Sequence, residues 1–528
     1  LFYINKKIEK ITDLHIITKV MSFNNSNYNF ILDTDSYKVG HPSMYEKNNF
    51  ENGPKRKLVR MYDYLGPRKG GEFPEIVTAG TLHVAKILSG IRITKENVDE
   101  ADAFYAGHLG PGVFDRKPWD VIVKYHDGCL PLKFSALPEG TIVPLGTPMV
   151  TVESTDQNCP TIVSHFEALI QKYIWYMSTV ATKSLEFSKT IYWFWKECVN
   201  PEVTDAVFGF IHHDFGHRAT TSNEASQLGG AAHLYISLGS DTVTGVKYIM
   251  DNLGEPDGNG GIKMPGFSVR ATEHSVMTSR GREHEMDVLD NILNSTPSNA
   301  ILACVADSYD LIGFVNSVTT GDRKDRILAR TGKFVLRPDS NLIKDHIKLS
   351  SAETVLECLN TMENNLKNFM TVNSKGFKVL PKQYGMIIGD GLNIQKVHNI
   401  LRLMVDNGWS PENMVFGTGG NLLQVDITRD VGNFAMKASE MEFILESEDG
   451  TITTEINNIG KETPGKESIK GRVQVSLVDG KLVTVPEGSI PEPNLLQVLS
   501  MNGQRSLTLD NIGTIRQRIK EHRIRNNY

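Results

Sequence analysis

The sequence predicts an α/β protein, with a barrel-like series of βα units in its second half and α+β segments on either side. Two observations predict it. Four short apolar runs (301–306, 334–336, 386–388 and 414–416) each end in a polar or glycine-rich signature: Asp307, then Arg337-Pro338-Asp339, then Gly389-Asp390-Gly391, then Gly417-Thr418-Gly419-Gly420. Runs this short and partly β-branched or aromatic suit buried parallel strands. The acidic or glycine positions 307, 339, 390 and 420 are spaced 32, 51 and 30 residues apart, and a βα unit takes roughly 30 residues or more. Consecutive βα units with chemistry at each strand's C-terminal end share one rim.

The 528 residues suffice for two or three domains, and 40% hydrophobic with 22% charged residues is ordinary for a globular protein. A net charge of −6 gives nucleic-acid binding no electrostatic support. The basic stretch Arg516, Arg518, Lys520, Arg523 and Arg525 reads as a solvated helix end. Five cysteines (129, 159, 198, 304, 358) include no CxxC pair; this argues against a zinc ribbon or disulfide framework and for a reducing, cytoplasmic setting. No run of 18 apolar residues predicts a membrane helix, so no membrane partner is expected. Residues 1–20 read as an extension upstream of a start at Met21.

From about 55 to 155, strands expected at 58–64, 121–125 and 149–153 mix with helices. Pro160 precedes helical spacing of apolar residues through Cys198, and Trp193, Phe194 and Trp195 read as core. Beyond 441 the chain turns strand-like again, at 451–456 and 473–477. The expected division is 1–20 as extension, 21–165 with 435–528 as an α+β domain, and 166–434 as the barrel-like domain.

Glycines at a strand end let backbone N–H groups approach a phosphate, and two adjacent glycine-rich strand ends form the usual phosphate site of an α/β barrel. Neither loop matches GxGxxG, so a dinucleotide fold is not supported. Arg337 and Asp339, two residues apart, would face the same way on an extended segment; the pair suits a phosphate beside a ribose diol or Mg²⁺. In His212-His213-Asp214-Phe215-Gly216-His217-Arg218, after the apolar run 207–211, the adjacent histidines point opposite ways on a strand, against a metal pair. Phe215 and Arg218 suggest an aromatic platform beside a phosphate-pairing cation. His274 ends the extended run 267–271 and shares the rim; His284 reads as structural.

Together, the motifs DTDSYK, HDFGHR, GSDTVTG, ATEHS, DSYD, RPDS, GDG and FGTGG resemble the nicotinamide phosphoribosyltransferases in order and spacing, from about residue 30 to the C-terminal region. The resemblance implies a type II phosphoribosyltransferase fold: an incomplete (β/α) barrel beside a domain built from both chain ends, in a homodimer with shared active sites. It implies formation of nicotinamide mononucleotide and pyrophosphate from nicotinamide and phosphoribosyl pyrophosphate in NAD salvage, with Mg²⁺ and coupled but dispensable ATP hydrolysis. By resemblance, Phe215 and the partner subunit's Tyr37 sandwich the pyridine, and Asp241 accepts from the carboxamide. Arg218, Arg337, Gly389, Asp390, Gly419 and Gly420 hold the ribose phosphate, Asp339 the ribose diol, and Asp307 lies on the Mg²⁺ side. Arg68, Arg429, Lys437, Lys466 and Arg472 meet pyrophosphate or ATP, and His274 is the phosphorylated histidine.

Three departures from the family pattern stand out. The segment before Arg429 is one residue longer, Ala435 stands where some relatives carry serine, and Arg270 occupies an uncharged position near the pyridine pocket. The alternatives are a nicotinate phosphoribosyltransferase, a metal-dependent barrel hydrolase using His212, His213 and His274, and a non-catalytic binding protein.

Overall fold

A computed structural model describes residues 28–46, 55–199, 205–463, 467–507 and 510–528. The expected extension 1–20, Met21 and Lys466 lie outside the described residues. The fold is built on two seven-stranded sheets. The first is antiparallel and joins distant parts of the chain. Its order is Ile452–Asn458, Ala435–Glu446, Lys55–Gly66, Val150–Ser154, Leu132–Ala136, Gln497–Met501 and Gln504–Arg505. The Lys55–Gly66 strand pairs with Ala435–Glu446 from Lys55 opposite Glu446 to Gly66 opposite Ala435.

The second sheet is parallel and curled. Its order is Gly239–Ser240, His212–Asp214, Met414–Thr418, Tyr384–Ile388, Phe334–Arg337, Leu302–Val305 and Arg270–Ala271. A parallel bridge from Phe267 to Gly239 ties the last element back to the first. Ala303, Val335 and Ile387 face inward and pack with Val269, Val415 and Phe215. The alternate residues, among them Leu302, Cys304, Phe334, Leu336, Met386 and Phe416, face the surrounding helices. This two-residue alternation follows from the pleat, and the four central strands from Leu302–Val305 to Met414–Thr418 are largely apolar on both faces because helices cover the outside.

The helix Glu167–Cys198 has 32 residues and so spans roughly 48 Å. It lies between the sheets, and its small polar residues serve as brackets. Ser178 Oγ accepts from Ala79 N–H at 3.0 Å, Thr182 Oγ1 from Val77 N–H at 2.9 Å, and Lys183 donates to the Val425 carbonyl at 2.8 Å. Phe194 and Trp195 are core as expected, whereas Trp193 is exposed.

Three expectations require correction. Residues 121–125 belong to the helix Lys117–Tyr125, not a strand: Pro118 sits in its first turn, and Trp119 and Ile122 bury one face at helical spacing. The apolar run 207–211, which invites a strand, instead holds the end of the helix Asp205–Phe208 and two turn bonds, and pairing begins at His212. The basic C-terminal stretch is not merely solvated. On the helix Ile512–Arg525, Arg516 donates to the carbonyls of Leu234, Ser237 and Pro265, and Arg518 bonds Asp510 and the Glu139 carbonyl. Val269 rather than Arg270 faces the barrel interior; strand alternation turns Arg270 outward into solvent. Among the described residues no helix is long and apolar enough to cross a membrane.

Candidate active site

The order of the parallel strands fixes which side chains meet. On the neighbouring strands ending at Ala271, Val305 and Arg337, the chain turns just beyond the last pairing residue and presents His274, Asp307 and Asp339 side by side. His274 Nε2 lies 3.1 Å from Asp307 Oδ1, and its Nδ1 lies 4.0 Å from Asp339 Oδ2. Ser340 donates to the other Asp307 oxygen. Arg337 donates Nε and Nη2 to Asp339 Oδ1 at 3.1 and 2.8 Å, as the two-residue spacing predicts. Its guanidinium carbon stands 5.7 Å from the Phe215 ring centroid, within cation–π range.

Phe215 follows the His212–Asp214 strand, its N–H held by the Thr418 carbonyl at 2.8 Å. Its ring lies across the barrel mouth. A Cβ at Gly417 would fall 2.0 Å from Phe215 Cε2, and one at Gly389 would fall 3.2 Å from Cδ2. Part of the glycine signal attributed to phosphate is therefore space for an aromatic ring. Gly419 and Gly420 follow at the head of the four-residue helix Gly420–Leu423. In the segment before Arg429, Asp426 takes φ +54°, and Arg429 ends exposed, 3.5 Å from Asp430. Asp390 and Arg218 are exposed on the rim.

Asp241 follows the Gly239–Ser240 strand, its N–H bonded to the Asp214 carbonyl at 2.9 Å. Ser268 donates to Asp241 Oδ1, so the bridge that closes the barrel also carries a side-chain clasp. Ser268, Ser340 and the ring seat at Gly417 were missed in the sequence. A serine at a strand start has no distinguishing pattern, and Gly417 was absorbed into a phosphate loop.

The histidines of the strand are not rim groups. His212 is buried with Nε2 on Thr418 Oγ1 at 2.6 Å, and burial pushes it well below its usual range. Burial also pushes His213 down to about 4, leaving it neutral. Among the described residues no three His, Cys, Asp or Glu side chains are placed to hold a metal, so the hydrolase reading lacks a ligand set. His284 pairs with Asp287 at 2.8 Å on the exterior.

Of the cations expected at pyrophosphate, Lys437 lies on the antiparallel sheet and Arg68 just past its Lys55–Gly66 strand. Arg68 is clamped on Asn433, donating to its carbonyl at 3.0 Å and its side chain at 2.6 Å, beside a cleft of about 290 Å³ that Tyr64, Lys69 and Ser468 also line. Lys437 sits opposite Tyr64. Arg472 differs: it bonds Glu153 at 2.8 and 3.0 Å and Glu487 at 2.7 Å, and its charge is already matched. Tyr37 is exposed on the N-terminal 3-10 turn Ser36–Gly40, its ring edge-on to His41.

Comparison with known proteins agrees with this geometry. Residues 210–483, more than half of the chain, match the nicotinate phosphoribosyltransferase (NAPRTase) family, and residues 29–134 match the nicotinamide phosphoribosyltransferase N-terminal domain. The chain is 32% identical over 412 residues to a nicotinamide phosphoribosyltransferase of Xanthomonas campestris pv. campestris, covering 78% of this chain and 81% of the relative. It is 29% identical over 479 residues to one of Mycoplasma pneumoniae, covering 85% and 96%. A nicotinate-nucleotide pyrophosphorylase from Pyrococcus furiosus superposes with a TM-score of 0.59 at 15% identity, covering 97% of this chain and 99% of that one. Human nicotinic acid phosphoribosyltransferase gives 0.50 at 13%, covering 92% and 93%.

The curled parallel sheet beside a two-ended antiparallel sheet is the type II phosphoribosyltransferase fold. Within that class, the chain belongs to the nicotinate phosphoribosyltransferase (NAPRTase) family, and its N-terminal part matches the nicotinamide phosphoribosyltransferase N-terminal domain.

Proposed function

We propose that this protein transfers the phosphoribosyl group of phosphoribosyl pyrophosphate to nicotinamide, releasing pyrophosphate, as a step of NAD salvage. The observation that carries the reading is the pairing of an aromatic platform, Phe215, with a carboxylate, Asp241, on one rim with Arg337 and the glycine-rich strand ends. The platform takes the flat face of a pyridine, and Asp241 accepts from a carboxamide N–H. Nicotinate would set a carboxylate against Asp241, a like-charge contact costing on the order of several kcal/mol.

The pyridine nitrogen forms the new bond to C1′ as the C1′–O bond to pyrophosphate breaks, its electron pair leaving on the pyrophosphate oxygen. C1′ is oxocarbenium-like between the two events, as in glycosyl transfer generally. Phe215 and the partner subunit's Tyr37 hold the nitrogen in line with C1′, a positioning effect. Arg218, Arg337, Gly389, Asp390, Gly419 and Gly420 hold the ribose phosphate, and Asp339 the ribose diol. Asp307 and Asp339 are two carboxylates beside His274, which fits Mg²⁺ arriving with a pyrophosphate rather than a caged resident ion; when bound, the ion would supply charge stabilisation to the leaving group. His274, held by Asp307, is the residue phosphorylated by ATP in a coupled, dispensable step.

The protein acts as a cytoplasmic homodimer in which a second copy brings Tyr37, exposed on its own chain, to the site, and Arg68 and Lys437 meet the pyrophosphate or ATP phosphates. Product identification with phosphoribosyl pyrophosphate, Mg²⁺ and each pyridine tests the reaction; nicotinate mononucleotide as the preferred product would overturn it. Asp241→Asn is expected to cut the nicotinamide-over-nicotinate ratio of kcat/KM by about tenfold or more, and an unchanged ratio would remove Asp241 from substrate choice.

A further inference from the structure

Asp214 is fully buried at the end of the His212–Asp214 strand, below the barrel mouth, where no substrate can reach it. Its Oδ1 accepts from Gly216 N–H at 2.7 Å. Its Oδ2 accepts from Ser240 Oγ–H at 3.4 Å, and the same Ser240 oxygen accepts from Thr242 N–H at 3.1 Å. Its main-chain carbonyl accepts from Asp241 N–H at 2.9 Å. One residue thus grips the position after Phe215 and the positions on both sides of Asp241. Gly216 is confined from the opposite side as well: a Cβ there would fall 2.7 Å from Leu423 Cγ and 3.0 Å from the Gly419 carbonyl. The turn under the ring is thus bounded by Asp214 on one side and by Leu423 and Gly419 on the other.

Burying a carboxylate is costly unless its hydrogen bonds are made. The bonds it makes here all lead to the two walls of the pyridine pocket. We propose that Asp214 is a positioning residue that sets the separation of Phe215 from Asp241, and through it both nicotinamide affinity and the preference for amide over acid. The inference rests on Phe215 and Asp241 being the platform and amide acceptor proposed above.

The experiment compares the full-length protein with Asp214→Asn, Asp214→Ala and Ser240→Ala. Nicotinamide, nicotinate and phosphoribosyl pyrophosphate are each varied, and Tm is measured alongside. Asn keeps an acceptor for Gly216 and can donate to Ser240, so its nicotinamide KM stays within about threefold of wild type. Asp214→Ala raises nicotinamide KM by about tenfold or more, leaves phosphoribosyl pyrophosphate KM within about twofold, and narrows the nicotinamide-over-nicotinate ratio. Ser240→Ala raises nicotinamide KM by about threefold. A folded Asp214→Ala with unchanged nicotinamide KM, or with both KM values rising together, overturns the proposal. Should Asp214→Ala fail to fold, Ser240→Ala decides: the same split supports the proposal and an unchanged nicotinamide KM overturns it. Wild-type product identity reports separately on the underlying reading, since a protein that makes no nicotinamide mononucleotide sinks that reading whatever the variants do.

Discussion

The two sheets treat charge in opposite ways. On the rim of the parallel sheet, charged groups are held loosely and in chains: Phe215 under Arg337, Arg337 on Asp339, Asp339 near His274, His274 on Asp307. His274 is half exposed, and Asp390, Arg218 and Asp241 face solvent. In the antiparallel sheet, charges are matched in place. Arg472, Arg60 and Lys133 surround Glu153 and Glu440, whose side chains are only 10% and 8% exposed. The first arrangement leaves partners to be exchanged for a ligand, whereas the second consumes them in holding strands together. Residue type alone does not separate a binding arginine from a structural one; its neighbours do.

The contrast is broken most strongly by moving the ring. In Gly417→Ala the new methyl collides with Phe215, and kcat/KM for nicotinamide is expected to fall by about a hundredfold with little change in Tm; steady-state kinetics with thermal melts check it. Unchanged turnover would mean that the ring is not the platform.

The antiparallel side is probed by Arg472→Met. Glu153 and Glu440 keep Lys133 and Arg60, so the loss is expected at about 2 kcal/mol, less than for a fully orphaned buried pair. It is read by denaturant unfolding, with kcat and phosphoribosyl pyrophosphate KM unchanged within about twofold. A large KM effect at unaltered stability would return Arg472 to the pyrophosphate site.

The smallest effect concerns pH. Burial, and then the Glu167 charge, push the Asp63 carboxyl from its usual 3.8 up to about 7, against the pull of Lys38 and Lys437. A carboxyl raised in the folded state adds stability below its unfolded value and loses that stability as pH rises through its folded value. Between pH 5 and 8 (roughly the window around that value), Tm of the wild type should therefore fall more steeply than that of Asp63→Asn. Parallel slopes would show that Asp63 titrates normally.

Much of the rim was legible because a parallel strand announces itself as an apolar run, and the residue that follows is placed by the pleat. Asp307, Arg337 and Gly389 came from that rule; Phe215 came from the motif around it, since the strand before it is His212–Asp214 and not apolar. The strand order that seats His274 between two carboxylates was not legible, because hydrogen-bonded neighbours such as Leu302–Val305 and Arg270–Ala271 leave no sequence mark of their adjacency. The commitment of Arg472 was hidden for the same reason: Glu153 lies 319 residues away. Ser268 and Asp214 escaped because a side chain that acts by holding another residue carries no chemistry of its own to recognise.

Pairing Lys55–Gly66 with Ala435–Glu446 also has a consequence in time. During synthesis the N-terminal strand meets Val150–Ser154 early but emerges long before its other neighbour exists. The parallel strands need partners only tens to about two hundred residues away. The barrel can therefore mature on the ribosome while one edge of the first long strand stays unpaired, the kind of surface that chaperones shield and that aggregates when shielding fails. A message truncated before residue 435 would release a chain with a complete set of rim strands and one edge of its first long strand unpaired. Quality control has a natural point at which to read whether the last residues were made.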